Sequence, residues 1–250
     1  MSAIRVNIAE KRFPAQGGAP GREIFRDFRL EVEAGELLVL LGPSGLGKTT
    51  LLNIVAGLDT AYRGTVEFTG AAPRIAYAFQ NPRLLPWRTV LENVALALAR
   101  DDKAGSARGR ARAMLEEVGI ADLAGAYPDR LSLGQQRRVA LARAFAGEPD
   151  VLLMDEPFVS LDQAGAEKLR DLLRRLLARR RATVLFVTHD PREAAALASR
   201  IVVLAGNPVS LARDVKVNIS PRERTSPALA DAFLARTGII PRPEPLTPRN

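Results

Sequence analysis

A glycine-rich segment between an apolar run and a helix-like run constrains the fold of this chain most strongly. Gly42–Thr49 follows the apolar run Leu37–Leu41 and leads into the helix-like run Thr49–Ala56. It fits the pattern G-x-x-x-x-G-K-[ST], the P-loop, in which backbone N–H groups and a helix N-terminus surround phosphate oxygens. In this pattern the lysine neutralises phosphate charge and the threonine hydroxyl binds Mg²⁺. The predicted nucleotide contacts are Gly42, Pro43, Ser44, Gly45, Gly47, Lys48, Thr49 and Thr50.

The rest of the chain alternates short apolar runs with runs of helical periodicity. The predicted strands are Leu37–Leu41, Val151–Met154, Thr183–Val187 and Ile201–Leu204. The predicted helices are Thr49–Ala56, Thr89–Arg100, Ala107–Val118, Leu133–Ala146 and Gln163–Arg180. Continuous apolar runs indicate strands buried on both faces, and their alternation with helices predicts an α/β fold with a mostly parallel sheet.

Two regions depart from this alternation. The block from Arg88 to Ala146 contains helical patterns and no strand pattern. We therefore predict a single domain of residues 1–250 with a helical subdomain, about 88–146, inserted in the α/β core. Beyond Leu204 the chain is rich in Pro and Arg, which predicts a loosely attached C-terminal tail, 206–250, with one helix at Pro227–Arg236.

Composition excludes several kinds of chemistry. The chain has no cysteine and a single histidine, His189, which excludes disulfides, thiol nucleophiles and sites that need several histidines. No apolar stretch approaches the roughly 20 residues that span a bilayer. Residues 1–11 lack the pattern of a secretory signal, so we expect a cytoplasmic location.

The chain is basic, with a net charge of +8, but 31 of its 36 basic residues are Arg. Such a skew indicates a compositional bias of the whole chain rather than a surface for nucleic acid. The densest run, Arg174–Arg181, is interpreted as a solvated helix face. Contact with anionic lipid headgroups is the alternative for this run.

Two adjacent carboxylates, Asp155 and Glu156, stand at the end of a predicted buried strand. Ligands bind at the carboxyl ends of strands in α/β sheets. Alone, such a pair is often a turn or a helix cap. Beside a P-loop, Asp155 is predicted to hold Mg²⁺ and Glu156 to act as general base toward the attacking water.

A second helix N-terminus has features of an anion site. Ser132 and Gln135 have the spacing of a capping box at the start of the predicted helix Leu133–Ala146. A serine hydroxyl and Gly134 at a helix N-terminus also suit an anion.

These segments, in this order, resemble the ATP-binding cassette (ABC) ATPases over nearly the whole chain. Leu131–Gln135 resembles the signature of that family, usually Leu-Ser-Gly-Gly-Gln, with Leu133 in the place of the first glycine. The resemblance implies a P-loop NTPase core with a small antiparallel β part near the N-terminus. The further nucleotide contacts that it implies are Ser132, Gly134, Gln135, Asp162 and Phe13.

The same resemblance assigns roles to single residues. Gln80 corresponds to the glutamine that senses Mg²⁺ and the attacking water, and Asp162 lies in the segment called the D-loop. His189 corresponds to the switch histidine that touches the γ-phosphate. Phe13 corresponds to the aromatic residue that stacks on adenine, with a core phenylalanine as the alternative. The implied catalytic residues are Glu156, His189 and Gln80, and the implied metal ligands are Thr49, Gln80 and Asp155.

The resemblance also implies partners. In ABC ATPases two cassettes dimerise head to tail, and each ATP lies between the P-loop of one and the signature of the other. We therefore expect ATP and Mg²⁺ as cofactors and a second cassette, either a copy of this chain or a homologous chain, as a partner. An integral membrane permease would place the chain on the inner face of the cell membrane.

A local stretch, Phe79–Val90, resembles bacterial importers of nitrate, sulfonate, taurine and related small solutes. It implies an ATP-hydrolysing importer subunit, with a periplasmic or lipid-anchored solute-binding protein as an indirect partner and no nucleic acid. Trp87, with Leu84 and Leu85, is predicted to dock on the permease. Packing of Trp87 between the core and the helical subdomain is the alternative.

Two other classes of function are considered. One is a soluble ABC ATPase that acts on nucleic acid or the ribosome, but the tandem cassettes, coiled coils and zinc cysteines typical of that class are absent from this sequence. The other is a non-hydrolysing regulatory subunit. The presence of Lys48, Asp155, Glu156 and His189 argues against it.

Overall fold

The computed structural model describes residues 2–15, 20–98 and 106–241. The strands of this part are β1 (Ile4–Phe13), β2 (Arg22–Val32), β3 (Leu37–Leu41), β4 (Arg63–Phe68), β5 (Ile75–Ala78), β6 (Val151–Asp155), β7 (Thr183–Thr188), β8 (Arg200–Ala205) and β9 (Ser210–Lys216). The helices are α1 (Lys48–Val55), α2 (Val90–Ala95), α3 (Ala107–Glu117), α4 (Leu133–Ala146), α5 (Gln163–Arg179), α6 (Pro191–Leu197), α7 (Pro221–Thr225) and α8 (Pro227–Arg236). None of the helices in these residues combines the length and apolar character needed to cross a membrane.

The larger sheet has the strand order β5-β6-β7-β3-β8-β9. Its first five strands are parallel, and β9 pairs antiparallel with β8. Side chains of β3 alternate between two apolar clusters, with Val39 and Leu41 on one face of the sheet and Leu38 and Leu40 on the other. Because both faces are covered, the central strands need apolar residues at every position, which explains their continuous apolar runs.

A smaller antiparallel sheet, in the order β2-β1-β4, covers one face of the larger sheet. Alternate residues of β1, among them Ile4, Val6 and Ile8, are buried in one cluster with Leu51 and Leu52 of α1. The prediction of an α/β fold with a mostly parallel sheet and an antiparallel part near the N-terminus is therefore confirmed.

Helices cover the opposite face. α2, α3 and α4 pack against one another, and their apolar side chains share one cluster with those of α5 and the sheet. α2 ends at Ala95 and a 3₁₀ turn follows at Leu96–Leu98, while the last two residues of the predicted helix, 99 and 100, lie outside the described residues. That this block forms a distinct subdomain over 88–146 stays a prediction.

Two strands of the larger sheet are not predicted by the sequence patterns. β5 has only four residues, and its first residue, Ile75, is exposed. β9 lies at the edge of the sheet, where none of its side chains is fully buried. β5 lies at the other edge of the sheet, and its apolar run, Ile-Ala-Tyr-Ala, has two small alanines and none of the Val and Leu residues of the central strands. β9 has no continuous apolar run.

The prediction of a loosely attached tail is wrong for residues 206–241, the part of it that the structure describes. β9 pairs with β8 over its whole length, and Arg200 joins Asp214 through two hydrogen bonds of 2.6 Å. α8, which matches the predicted helix, buries Phe233 and Leu234 in the helix-side cluster. The few apolar residues that anchor this segment are interspersed with Pro and Arg, which hides their pattern. Residues 242–250 of the predicted tail lie outside the described residues.

The parallel strands deliver their loops to one edge of the larger sheet. The carboxyl ends of β3, β6 and β7 lead to Gly42, Asp155 and His189, and β5 leads to Gln80. Because these four strands are neighbours, the four predicted site segments that follow them meet at the carboxyl ends of the strands, where α/β sheets bind ligands.

Candidate active site

The P-loop joins β3 to α1, as the sequence predicts. Gly47 has φ of 114°, and a Cβ atom at this position would lie 2.5 Å from Cγ2 of Ile24. A Cβ atom at Gly42 would lie 2.9 Å from the carbonyl oxygen of Leu204. Because β2 and β8 approach the loop so closely, both positions require glycine. The loop therefore has a fixed path, and α1 starts directly behind it at Lys48.

Lys48 is buried across the P-loop, with 4% of its side chain exposed. Its Nζ donates hydrogen bonds to the carbonyl oxygens of Gly42 (2.7 Å) and Pro43 (2.8 Å). It also lies 3.7 Å from Oε1 of Glu156. Burial lowers the pKa of Lys48, although the neighbouring carboxylates of Glu156 and Asp155 oppose this effect. The P-loop thus holds the ammonium group of Lys48 close to the backbone N–H groups that can bind phosphate.

Asp155, the last residue of β6, is buried and has an unpaired oxygen. Within the described residues, its Oδ1 has no hydrogen-bond partner. Burial raises the pKa of Asp155 above its ordinary value, a hydrogen bond with Thr49 works in the opposite direction, and the charge of Glu156 raises it further. An unpaired buried carboxylate oxygen beside a threonine hydroxyl suits a hard divalent cation, so these residues fit Mg²⁺.

Glu156 links the P-loop lysine to the single histidine. One carboxylate oxygen, Oε2, lies 3.0 Å from Nδ1 of His189, and the other faces Lys48. The backbone N–H of Glu156 donates to the carbonyl oxygen of Val187 on β7 (3.0 Å). The carboxylate is 12% exposed and the imidazole is half exposed. An oriented carboxylate at the open edge of a sheet, next to a P-loop, can take a proton from a water molecule.

Gln80 follows β5 and its side chain is exposed. It takes part in none of the polar contacts described above. Two other residues near the end of β5, Tyr77 and Arg83, are not among the site residues that the sequence predicts. Burial, with the charge of Asp155 as a smaller cause, raises the pKa of Tyr77, and Arg83 lies 4.1 Å from the ring centre of Phe79. Tyr77 lies in β5 and Arg83 follows it, and β5 is an edge strand that the sequence patterns do not predict.

Phe13, at the end of β1, is 43% exposed, so the alternative of a core side chain is wrong. It pairs across the sheet with Arg22, whose Nη1 donates to the carbonyl oxygen of Gly45 in the P-loop (3.1 Å). The strand partner of Phe13 is thus hydrogen-bonded to the P-loop. The ammonium of Lys11 lies 4.8 Å from the centre of that ring.

The signature-like residues begin α4. Ser132 Oγ accepts a hydrogen bond from the N–H of Gln135 (3.3 Å), and Oε1 of Gln135 accepts from the N–H of Ser132 (2.8 Å). The predicted capping box is therefore confirmed. Gly134 lies in the first turn and Leu133 is exposed. Among the described residues, no hydrogen bond or ion pair joins this helix start to the P-loop.

Asp162 caps the N-terminus of α5, where its Oδ1 accepts from the N–H of Gly165 (2.9 Å). This cap gives the carboxylate a structural partner in its own chain. Asp162 lies six residues beyond Glu156, on the segment that links β6 to α5.

Comparisons with known proteins agree with this geometry. The family model described as ABC transporter matches residues 25–159. The aliphatic sulfonates import ATP-binding protein SsuB 1 of Xanthomonas axonopodis pv. citri (strain 306) is 43% identical over 231 residues, 89% of each chain. A protein of Mycobacterium sp. (strain MCS) with the name aliphatic sulfonates import ATP-binding protein SsuB is 49% identical over 215 residues, which cover 84% of this chain and 86% of that one.

Solved structures agree as well. A dimeric ATP-binding cassette in a post-hydrolysis state, bound to ADP and Pi, superposes with a TM-score of 0.75 at 30% sequence identity. The match covers 87% of this chain and all of that one. This structure and the two relatives each match at least 84% of the chain. The chain belongs to the ABC transporter family and is one of its ATPases.

Proposed function

We propose that this chain is the ATP-hydrolysing subunit of a bacterial importer that takes up a small solute of the nitrate, sulfonate or taurine type. One observation carries the proposal: the carboxylate of Glu156 contacts both the P-loop Lys48 and His189 at the edge where β3, β6 and β7 end. The names of the relatives, aliphatic sulfonates import ATP-binding proteins, support the direction of transport and the class of solute.

The site residues then divide the chemistry between them. Lys48 and the P-loop N–H groups bind the phosphates, and Phe13 offers an exposed ring to the base. Glu156, oriented by His189, takes a proton from water while the water oxygen bonds to the γ-phosphorus and the bond to ADP breaks. Thr49 and Asp155 would hold Mg²⁺, with Gln80 as a further ligand; when bound, the ion neutralises phosphate charge.

A second cassette is part of the proposal. Ser132, Gly134 and Gln135 lie at a helix N-terminus that has no polar contact with the P-loop among the described residues, although such a terminus attracts phosphate. We infer that this terminus, and Asp162, face the nucleotide of a second copy of the chain. Leu133 is exposed there and leaves the capping box intact, so its replacement of a glycine is compatible with this role.

The surface around Trp87 supports a permease partner. The indole is 70% exposed. The loop that carries it is fixed by hydrogen bonds to the fully buried side chain of Asn93. The side-chain amide of Asn93 donates to the carbonyl oxygens of Leu85, Arg88 and Thr89 (3.2, 3.1 and 3.0 Å). A cleft of about 720 Å³, lined in part by Leu85, Leu96 and Tyr77, lies beside it. A large aromatic side chain on a rigid loop is typical of a protein contact site.

Trp87→Ala is expected to weaken association with the permease at least tenfold, because exposed Trp residues often dominate protein interfaces. Nucleotide binding and thermal stability should stay close to those of the unchanged chain, since the indole buries little surface in its own chain. Pull-down of the permease by tagged variants measures the effect, with Leu58→Ala, another exposed apolar side chain, as the control. A large fall in melting temperature would instead support packing of Trp87 within the chain.

Asp155→Asn is expected to raise the Mg²⁺ concentration for half-maximal hydrolysis at least tenfold, because it removes the carboxylate charge that would hold the cation. Burial disfavours the ionised form of Asp155 in the folded chain and raises its pKa. The folded chain therefore loses stability as pH rises through the pKa of Asp155, because the carboxyl group becomes ionised in a buried place. Asparagine stays neutral, so the melting temperature of Asp155→Asn at pH 7 without Mg²⁺ should not be lower than that of the unchanged chain. Unchanged Mg²⁺ dependence would contradict the proposed ligand role.

We further infer that the permease holds the chain on the cytoplasmic face of the membrane, with a solute-binding protein acting indirectly outside. The basic run of α5 gives no support to an independent lipid or nucleic-acid surface. Arg179 and Arg180 both contact the carboxylate of Glu117, and Arg174 pairs with Asp171. The contacts with Glu117 tie the end of α5 to α3, and all three contacts use part of the charge of the run.

Affinity purification of the tagged chain from membranes tests the importer proposal. We expect an integral membrane protein to co-purify, and its loss with Trp87→Ala would locate the contact. Recovery of nucleic acid or ribosomes in place of a membrane protein would favour the alternative, a soluble ABC ATPase, which the comparisons do not favour.

A further inference from the structure

The turn that follows Glu156 is strained at both ends. Glu156 and Ser160 have positive φ values of 42° and 64°, although neither is glycine. A residue other than glycine is strained in this conformation, which persists only where the surroundings fix it. The two backbone hydrogen bonds within the turn, from Val159 to Glu156 and from Leu161 to Phe158, are both long at 3.3 Å. The turn therefore needs support from outside itself.

Arg137 supplies a support from α4. Its Nη2 donates to the carbonyl oxygen of Val159 at 3.1 Å. In the described part of the chain, this is the only side-chain hydrogen bond to the backbone of residues 157–161. Val159 lies three residues after Glu156 and directly before Ser160, so the bond holds the turn between its two strained residues.

Arg137 is poorly suited to a purely structural role. Its side chain is 5% exposed, and its Nε and Nη1 have no hydrogen-bond partner in the described residues. Burial lowers the pKa of this guanidinium. A buried charge with most of its donors unpaired costs stability, and an apolar side chain of similar length is often tolerated equally well or better. Stability alone therefore does not account for an arginine at this position.

We propose that Arg137 is a positioning residue, which holds the turn after β6 so that the carboxylate of Glu156 stays directed at the nucleotide site. The inference rests on the proposed function of Glu156 as general base. Arg137 also joins this turn to α4, the helix that starts at the signature-like residues.

Arg137→Met tests this proposal, because methionine fills similar space without a donor. A displacement of about 1 Å at a reacting group can cost about 10²-fold in rate, so we expect kcat to fall about 10- to 100-fold. KM for ATP should stay within about threefold, because the P-loop is untouched, and the melting temperature should not fall. Arg137→Lys keeps a charged donor and should recover part of the lost kcat.

Arg138→Met is the matched control. Arg138 lies on the same helix and also donates to a backbone carbonyl, that of Val118 at 2.8 Å, but this bond leads away from the Glu156 turn. We expect its kcat to stay within about threefold of the unchanged chain. An unchanged kcat in Arg137→Met, or an equal fall in both variants, would overturn the positioning role. If Arg137→Met does not fold, the same split between kcat and KM in Arg137→Lys decides. An unchanged chain that binds ATP without hydrolysing it, alone or with its permease, would overturn the proposed function and this inference with it.

Discussion

Glu156→Gln is expected to reduce ATP turnover by about 10²- to 10⁴-fold, the usual effect of losing a general base. Glutamine keeps the shape of the side chain but cannot take the proton of the attacking water. Nucleotide binding should persist or tighten, because one negative charge is removed from beside the phosphates. The carboxylate contacts with His189 (3.0 Å) and Lys48 (3.7 Å) are the structural basis of this expectation.

The same variant should form an ATP-dependent dimer. If each ATP lies between two cassettes, an uncleaved nucleotide keeps them together, whereas the unchanged chain returns to monomers as ATP is consumed. Size-exclusion chromatography with ATP, with and without the permease, measures the assembly. Glu117→Gln, which alters a carboxylate paired with Arg180 in another part of the molecule, is the control and should retain turnover. Turnover of Glu156→Gln within a few-fold of normal would leave Gln80 or His189 as the group that orients the water.

Lys48→Ala is expected to abolish hydrolysis chiefly by weakening ATP binding. A charge-assisted hydrogen bond to phosphate contributes about 1.5–3 kcal/mol, which corresponds to a loss of about 10- to 150-fold in affinity. Lys48 also bridges the carbonyl oxygens of Gly42 and Pro43, so its removal loosens the loop as well.

Equilibrium titration with labelled ATP separates affinity from turnover in this variant. Lys168→Ala, which removes an exposed lysine from α5, should bind ATP normally. Full hydrolysis by Lys48→Ala would mean that Gly42–Thr49 is a structural turn and not a phosphate site.

The sequence predicts the central strands well because burial on both faces leaves a continuous apolar run, as in Leu37–Leu41 and in Val184–Val187 of the predicted strand Thr183–Val187. The same rule misses β5 and β9, which are the two edge strands of the larger sheet. The helix at Pro227–Arg236 is predicted, but composition describes its segment as a loosely attached tail, whereas Phe233 and Leu234 of α8 anchor it in the core. Contacts with distant parts of the chain determine how these segments pack, and the local sequence alone does not indicate those contacts.

The candidate site, too, is predicted only in part. Motif spacing predicts that Lys48, Asp155 and Glu156 lie at one edge of the sheet, because parallel neighbouring strands end together. It does not predict that His189 contacts Glu156 directly or that Glu156 has positive φ. Arg137 follows the signature-like motif, and only the fold places it beside the turn after β6.

Phosphate release by the purified chain, measured over a range of chain concentrations with ATP and Mg²⁺, tests most directly the claim that two copies share each ATP. If the P-loop of one copy and the start of α4 of the other enclose the nucleotide, the rate per chain rises with concentration and saturates as dimers form. Addition of Glu156→Gln chains should then lower the rate of the unchanged chains by forming mixed dimers. A rate per chain that is constant from the lowest concentration, and unaffected by the variant, would contradict a shared site.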